Sequence, residues 1–187
     1  MNHTRIQAIA AFLLVGLLSA IGGCSSSSSY VDGFRYAPEP ALVDVFRRGS
    51  NTQAQSPPLS VMVSIIGVRR ADAKAGLPAS VEVRLRMEAN GPAHVTFDPH
   101  TLELVTGSLQ PFGAPITQPP TSISLNPGQT QNVSAFFPFP PGTSYRTLIL
   151  DTLRLRWLVQ IDNQTVPQTA YFERASPLYY ETSDSFD

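Results

Sequence analysis

Residues 81–89 read Val-Glu-Val-Arg-Leu-Arg-Met-Glu-Ala, with apolar and charged side chains in strict alternation. Successive side chains of a β-strand point to opposite faces of a sheet, so this period of two predicts a strand with one face on a core and one in water. The same period recurs at 59–65 and 153–161. Three such segments in one chain favour an all-β fold.

Weaker strands are predicted between and after these segments. They lie at 93–97, 101–105, 121–125, 130–137 and 166–174. Turn-forming residues separate the strands, and they are Asn90-Gly91-Pro92, Asp98-Pro99, Asn126-Pro127-Gly128, Pro140-Pro141-Gly142 and Asp162-Asn163. Seven or eight short strands with no long helical pattern between them predict an antiparallel sandwich.

The stretch from Leu59 to Arg174 resembles the immunoglobulin-like sandwich domains of exported bacterial proteins of unknown function. Three segments carry the resemblance: residues 86–91 followed by Val95-Thr96-Phe97, the turn at 125–129 before a strand ending in Phe136-Phe137, and the hairpin through Trp157 and Phe172. It implies an immunoglobulin-like strand order over residues 57–175. The chain has one cysteine, so it lacks the disulfide of antibody domains and its core must be held by packing alone.

Residues 1–23 have the pattern of a secretory signal peptide. A short polar start that contains Arg5 precedes a mostly apolar stretch from Ile6 to Ile21, which ends in small residues and not in a basic flank. A membrane-spanning helix needs roughly 20 consecutive apolar residues. A cleaved signal is therefore favoured.

The sequence Ile21-Gly22-Gly23-Cys24 resembles the lipobox of bacterial lipoproteins. The resemblance implies that Cys24 becomes the new N-terminus and carries a lipid on its thiol and another acyl chain on its amine. Two or more chains hold a protein on a membrane where one does not. The alternative is an ordinary signal peptide followed by a free cysteine. Ser25 replaces the aspartate that retains enterobacterial lipoproteins at the inner membrane, which favours the periplasmic face of the outer membrane.

Residues 24–56 are expected to form a Ser/Pro-rich tether between the lipid and the sandwich. Within it, residues 40–49 allow two interpretations: two helical turns begun by Pro40 and ended by Gly49, or an additional edge strand of the domain. At the other end, residues 176–187 form an acidic tail with aromatic side chains. Chain ends usually fray, although such a tail could instead dock onto a partner.

The composition does not favour nucleic-acid binding or catalysis. The chain has 13 Lys and Arg against 14 Asp and Glu, without a basic cluster. No Gly-x-Ser-x-Gly motif is present. The one local set of metal-ligand types is His94, Asp98 and His100, which we interpret as turn residues. We therefore predict no catalytic, cofactor or metal residues, and a protein that is not an enzyme.

Two further groups of side chains need a structural explanation. Arg84 and Arg86 on one strand, with Arg154 and Arg156 on another, would form a basic stripe if the strands were neighbours. The immunoglobulin-like order instead places these strands in opposite sheets, which favours solvated faces. The apolar segment 136–141 is expected to pack over an open end of the sandwich.

These features favour a lipid-anchored, non-enzymatic protein of the cell envelope. Its sandwich would serve as an interaction or structural module for another envelope protein, and its membrane contact would be the lipid on Cys24. The alternative is a periplasmic module that binds a small ligand or a metal.

Overall fold

The computed structural model describes residues 29–47, 56–74 and 76–175. The signal peptide, Cys24 and the C-terminal tail lie outside the described residues. No helix in the described part is long and apolar enough to cross a bilayer.

The described part of the chain contains eleven strands and one short 3₁₀ turn, which are joined by loops and turns. The strands are β1 (Tyr36–Ala37), β2 (Ala41–Val45), β3 (Leu59–Arg69), β4 (Ser80–Ala89), β5 (Val95–Phe97), β6 (Glu103–Thr106), β7 (Ile116–Gln118), β8 (Ile123–Leu125), β9 (Thr130–Pro138), β10 (Thr152–Ile161) and β11 (Gln164–Arg174). The 3₁₀ turn, Pro99–Thr101, lies between β5 and β6.

The strands form two antiparallel sheets packed face to face. One sheet has the order β2-β3-β4-β9-β7, and the other has the order β1-β11-β10-β5-β8 with β6 also beside β10. This arrangement confirms the predicted antiparallel sandwich of immunoglobulin type. The short strands β1, β2 and β7 bring the number of strands above the seven or eight expected from the sequence.

The core lies between the two sheets and is built from the alternating inward positions. Trp157 on β10 is 1% exposed, and it lies among side chains that are all less than 2% exposed. These include Phe97, Phe137, Phe172, Leu85, Met87 and Leu155. Burying one large apolar side chain contributes roughly 1.5–3 kcal/mol, so packing can hold this fold without a disulfide.

Residues 36–45 belong to the sandwich, which corrects the expectation that all of 24–56 is a tether. β1 pairs with β11, and β2 pairs with β3. The helical interpretation of residues 40–49 is wrong for the described part. Ala41 and Val45 enter the core while Leu42 and Asp44 are exposed, and this alternation is that of an edge strand.

A bulge in β3 shapes the end of the first sheet. The register between β3 and β4 shifts between Ile65 and Gly67, and Gly67 has a φ of +144°. A Cβ added at Gly67 would lie 3.4 Å from the carbonyl oxygen of Phe34. Glycine therefore permits both the backbone conformation and the close approach of the segment before β1.

Candidate functional site

The first described residues are attached to the end of β3. The amide of Val31 donates to the carbonyl of Val68, and the amide of Arg70 donates to the carbonyl of Ser29, both at 2.8 Å. These bonds make Tyr30 an antiparallel partner of Arg69. The first described residue, Ser29, is therefore already attached to the sandwich.

A buried carboxylate fixes the side chain of Tyr30. The Tyr30 hydroxyl donates to Oε2 of Glu82, which is 2% exposed. Arg84 donates from Nε to Oε1 of Glu82 and places Nη2 near the same oxygen, each at 3.0 Å. Both carboxylate oxygens are therefore hydrogen-bonded, which offsets the cost of burying the charge.

Glu82 corrects one detail of the sequence interpretation. Strand alternation places it on the solvent side of β4, opposite the neighbouring Val81 and Val83. It is nevertheless buried because the segment around Tyr30 lies against it. Partial burial of the Tyr30 hydroxyl itself, followed by its hydrogen bond to Glu82, raises the pKa of this hydroxyl above its usual 10.0.

Arginine side chains lie over aromatic rings at this end of the sandwich. The guanidinium carbon of Arg174 is 4.3 Å from the ring centre of Phe34, and that of Arg69 is 5.2 Å from the ring centre of Phe136. Arg146 lies over Tyr145 at 5.6 Å. Such a pair combines a charged guanidinium group with an apolar ring and methylene stem. Side chains of this kind are suited to a boundary between water and an apolar phase.

The last described residues lie at the same end. The amide of Ala175 donates to the carbonyl of Arg35 at 2.9 Å, and the amide of Arg174 donates to the carbonyl of Asp151 at 2.7 Å. We call this region the Tyr30 end, and it comprises residues 29–36, 69–74, 76–80, 106–113, 138–152 and 173–175. The described chain therefore starts and stops at one end of the sandwich.

The opposite end is built from turns. We call it the Asp162 end, and it comprises residues 45–47, 56–59, 89–94, 125–130 and 161–165. Asp162 pairs with Arg47, and its Oδ1 accepts from the amide of His94 at 3.0 Å. A cavity of about 410 Å³ lies here, lined in part by Phe46, Arg47, Pro58, Asn90 and Ala93.

The histidines do not converge on a common site. The Nε2 atom of His94 lies 3.4 Å from Oγ1 of Thr96, whereas Nδ1 of His100 lies 3.1 Å from Oδ1 of Asp98. Asp98 also accepts from the amide of His100 at the start of the 3₁₀ turn, and these contacts lower the pKa of Asp98. Among the described residues, no three His, Cys, Asp or Glu side chains are grouped to hold a metal ion.

The two arginine pairs lie on different faces, as the predicted strand order requires. Arg84 and Arg86 belong to β4 in the first sheet, whereas Arg154 and Arg156 belong to β10 in the second. The first pair lines a shallow surface depression of about 540 Å³. In the second pair, Arg154 lies 5.0 Å from the ring centre of Tyr171 on β11. A continuous basic stripe is not formed.

The aromatic segment 136–141, which begins in the last residues of β9, packs at the Tyr30 end. Phe137 is 1% exposed, and the partly buried Phe139 lies 5.6 Å from Phe112, measured between ring centres. These contacts agree with the expectation that residues 136–141 close an end of the sandwich.

Among the comparisons with known proteins, only the one with solved structures found similar chains. No family model and no curated protein matches the chain. A FixG-related protein from Vibrio parahaemolyticus is 12% identical, with 64% of this chain and 98% of that chain covered and a TM-score of 0.38. The yjhA protein from Bacillus subtilis is 12% identical, with 52% and 71% covered and a TM-score of 0.32. The GAE domain of GGA2p from Saccharomyces cerevisiae is 12% identical, with 74% and 99% covered and a TM-score of 0.32.

Proposed function

We propose that this chain is a lipid-anchored, non-enzymatic protein of the cell envelope, held by Cys24 on the periplasmic face of the outer membrane. The observation that carries the proposal is the attachment of Ser29 and Tyr30 to β3, close in sequence to the lipobox-like Cys24. A lipid at that position would hold the folded body directly at the membrane surface. Such an anchor raises the effective concentration of the body for partners in the same thin layer.

The proposed partner is another envelope protein, bound through loops and sheet faces. The strands at sheet edges give little room for strand addition, since β1 has two residues, β7 and β8 have three each, and β2 has five. β1 pairs with β11 only at Glu173 and Arg174, and the part of β11 beyond this pairing carries Pro167, which lacks a backbone N–H. Short strands and edge prolines are features that limit pairing with another chain.

Replacing Cys24 tests the anchor. We expect intact-mass analysis of the purified protein to show acyl chains on Cys24, and Cys24→Ala to lack them and to leave the membrane fraction. Ser27→Ala is the matched control, because it changes the same segment and keeps the thiol. An unmodified Cys24 in the mature wild-type chain would refute the proposal.

Crosslinking tests the partner. A photo-crosslinking residue at Asn126, an exposed position in the turn between β8 and β9, should capture an envelope protein in intact cells. The same group at the buried Val83 is the control, because it points into the core. If neither Asn126 nor an exposed position such as Leu158 yields a partner under several growth conditions, the interaction role is contradicted.

A further inference from the structure

We infer that the Tyr30 end of the sandwich faces the phospholipid headgroups that hold the anchor, and that the Asp162 end points away from them. This inference rests on the proposed lipidation of Cys24 and adds an orientation to it. It assigns one surface of the protein to contact with the bilayer and leaves the other for a partner.

Covalent reach supplies the first argument. Residues 25–28 separate Cys24 from Ser29, which is already hydrogen-bonded to Arg70. A chain spans at most about 3.6 Å per residue, so the Cys24 Cα lies within about 18 Å of the Ser29 Cα. The lipidated residue must stay near the Tyr30 end whatever path the intervening residues take.

The length of the body supplies the second argument. β3 has 11 residues and runs from the Asp162 end to the Tyr30 end. At roughly 3.4 Å per residue it is about 35 Å long, or about twice the reach of the segment after Cys24. An upright body therefore holds the Asp162 end well clear of the headgroups.

The distribution of charge supplies the third argument. The Tyr30 end has six basic side chains, which are Arg35, Arg69, Arg70, Lys74, Arg146 and Arg174. Four carboxylates with at least part of their surface exposed lie among them, which are Asp32, Asp72, Asp151 and Glu173. The described residues of the Asp162 end have Arg47 and Asp162, which neutralise each other. Among the described residues, a modest positive excess therefore lies on the side that the covalent reach directs toward anionic headgroups.

The side chains at this end also suit the headgroup layer. Phe34 and Tyr145 meet edge to face with ring centres 6.0 Å apart, and each ring has an arginine over it. An arginine paired with an aromatic ring keeps its charge in a polar layer while the ring and the methylene stem contact apolar groups. The contact predicted here is superficial and involves no insertion of a strand.

Fluorescence quenching in vesicles tests the orientation with the full, lipidated chain. Because Cys24 is the one cysteine and is acylated in the proposal, a second cysteine provides a unique free thiol for a fluorophore. Ala73→Cys labels the exposed β3–β4 loop at the Tyr30 end, and Asn163→Cys labels the exposed β10–β11 turn at the Asp162 end. The vesicles contain phosphatidylethanolamine and phosphatidylglycerol with a nitroxide-labelled headgroup lipid.

We expect several-fold stronger quenching at position 73 than at position 163. A twelve-residue Gly-Ser insertion between Ser28 and Ser29 should reduce this difference, because the longer segment lets the body turn. Equal quenching at the two positions in the unextended chain, as for a body lying on its side, would overturn the inference. Loss of the protein from the vesicles, with no acyl mass on Cys24, would instead count against the proposed anchor.

Discussion

Tyr30 shows how one hydroxyl can fix the start of a domain. Its backbone continues the ladder beside Arg69, while its side chain reaches Glu82 on the next strand, β4. The contact gives a buried carboxylate one of its hydrogen-bond donors and covers it from water. A change at this hydroxyl should therefore act on both the sheet and the segment that precedes it.

Tyr30→Phe should lower the free energy of unfolding by about 1.5–3 kcal/mol, the range for a hydrogen bond to a charged group. Urea denaturation followed by fluorescence measures the change. Tyr171→Phe is the matched control, because Tyr171 is 62% exposed and keeps its ring beneath Arg154. Equal effects of the two substitutions would show that the Tyr30 hydroxyl is not a structural contact.

The stability of the protein should fall above about pH 10. Burial raises the pKa of Tyr30 and Tyr36 above 10.0, so the folded protein keeps two protons that the unfolded chain releases first. Below the unfolded pKa their contribution is fully present, and it is lost as the pH rises toward the folded pKa values. Urea midpoints measured from about pH 8 to 11 test this. The urea midpoint of Tyr30→Phe should fall less steeply with pH than that of the wild type. An identical slope would contradict a raised pKa for Tyr30.

Gly107 lies against Thr152 where β6 meets β10. A Cβ at this position would lie 1.9 Å from Oγ1 and 3.3 Å from Cβ of Thr152, so Gly107→Ala should cost about 1–3 kcal/mol of unfolding free energy. Thr152→Ala in the same chain should restore most of that loss, because it removes the oxygen. Gly91→Ala is the control, since its nearest atom is 3.5 Å away. If Thr152→Ala does not recover the unfolding free energy that Gly107→Ala loses, the proposed clash between the two side chains is contradicted.

β1 and β2 join residues 36–45 to both sheets. Tyr36 on β1 is 1% exposed, and its hydroxyl donates to the carbonyl of Leu150 at 3.0 Å. Tyr36→Ala should therefore cost about 3–5 kcal/mol, as for other large buried side chains. Leu42→Ala on β2 removes a side chain that is 65% exposed and should change stability by less than about 0.5 kcal/mol. Denaturant midpoints for the two variants provide the comparison, and a small effect at Tyr36 would mean that this segment is not part of the cooperative fold.

The strands that alternation predicts are those with one face on the core and one in water. β4 and β10 match the predicted 81–89 and 153–161 to within one residue at each end. β1 and β7 have two and three residues, too few to show a period. Their positions are set by partners distant in the chain, since β1 pairs with β11 and β7 pairs with β9.

The Tyr30 end could not be predicted for a related physical reason. Glu82 has the pattern of a solvated residue, and only the return of residues 29–34 over β3 and β4 explains its burial. The lipidation of Cys24 stays a prediction from a local motif, whereas the sandwich fold, predicted from local alternation, is confirmed. Sequence reasoning placed residues 36–39 in the tether and left residues 40–49 open between helical turns and an edge strand, because the partners of β1 and β2 lie on β11 and β3.

One continuous core joins the two sheets of the described chain. It includes Tyr36 near the start and Phe172 near the end of the described chain. Unfolding should therefore be a single transition, as is usual for domains of this size. Emission from Trp157, the one tryptophan, and far-ultraviolet circular dichroism should give the same urea midpoint. Two separate midpoints would show that part of the sandwich unfolds independently.

Pro167 and the brevity of β1, β7 and β8 have a consequence for crowding. Molecules confined to a surface collide far more often than the same molecules in bulk solution, and unpaired backbone groups would then recruit neighbours into fibrils. Under the proposed lipid anchor, sheet edges that are short or carry a proline would let many copies stand side by side on a bilayer and remain separate.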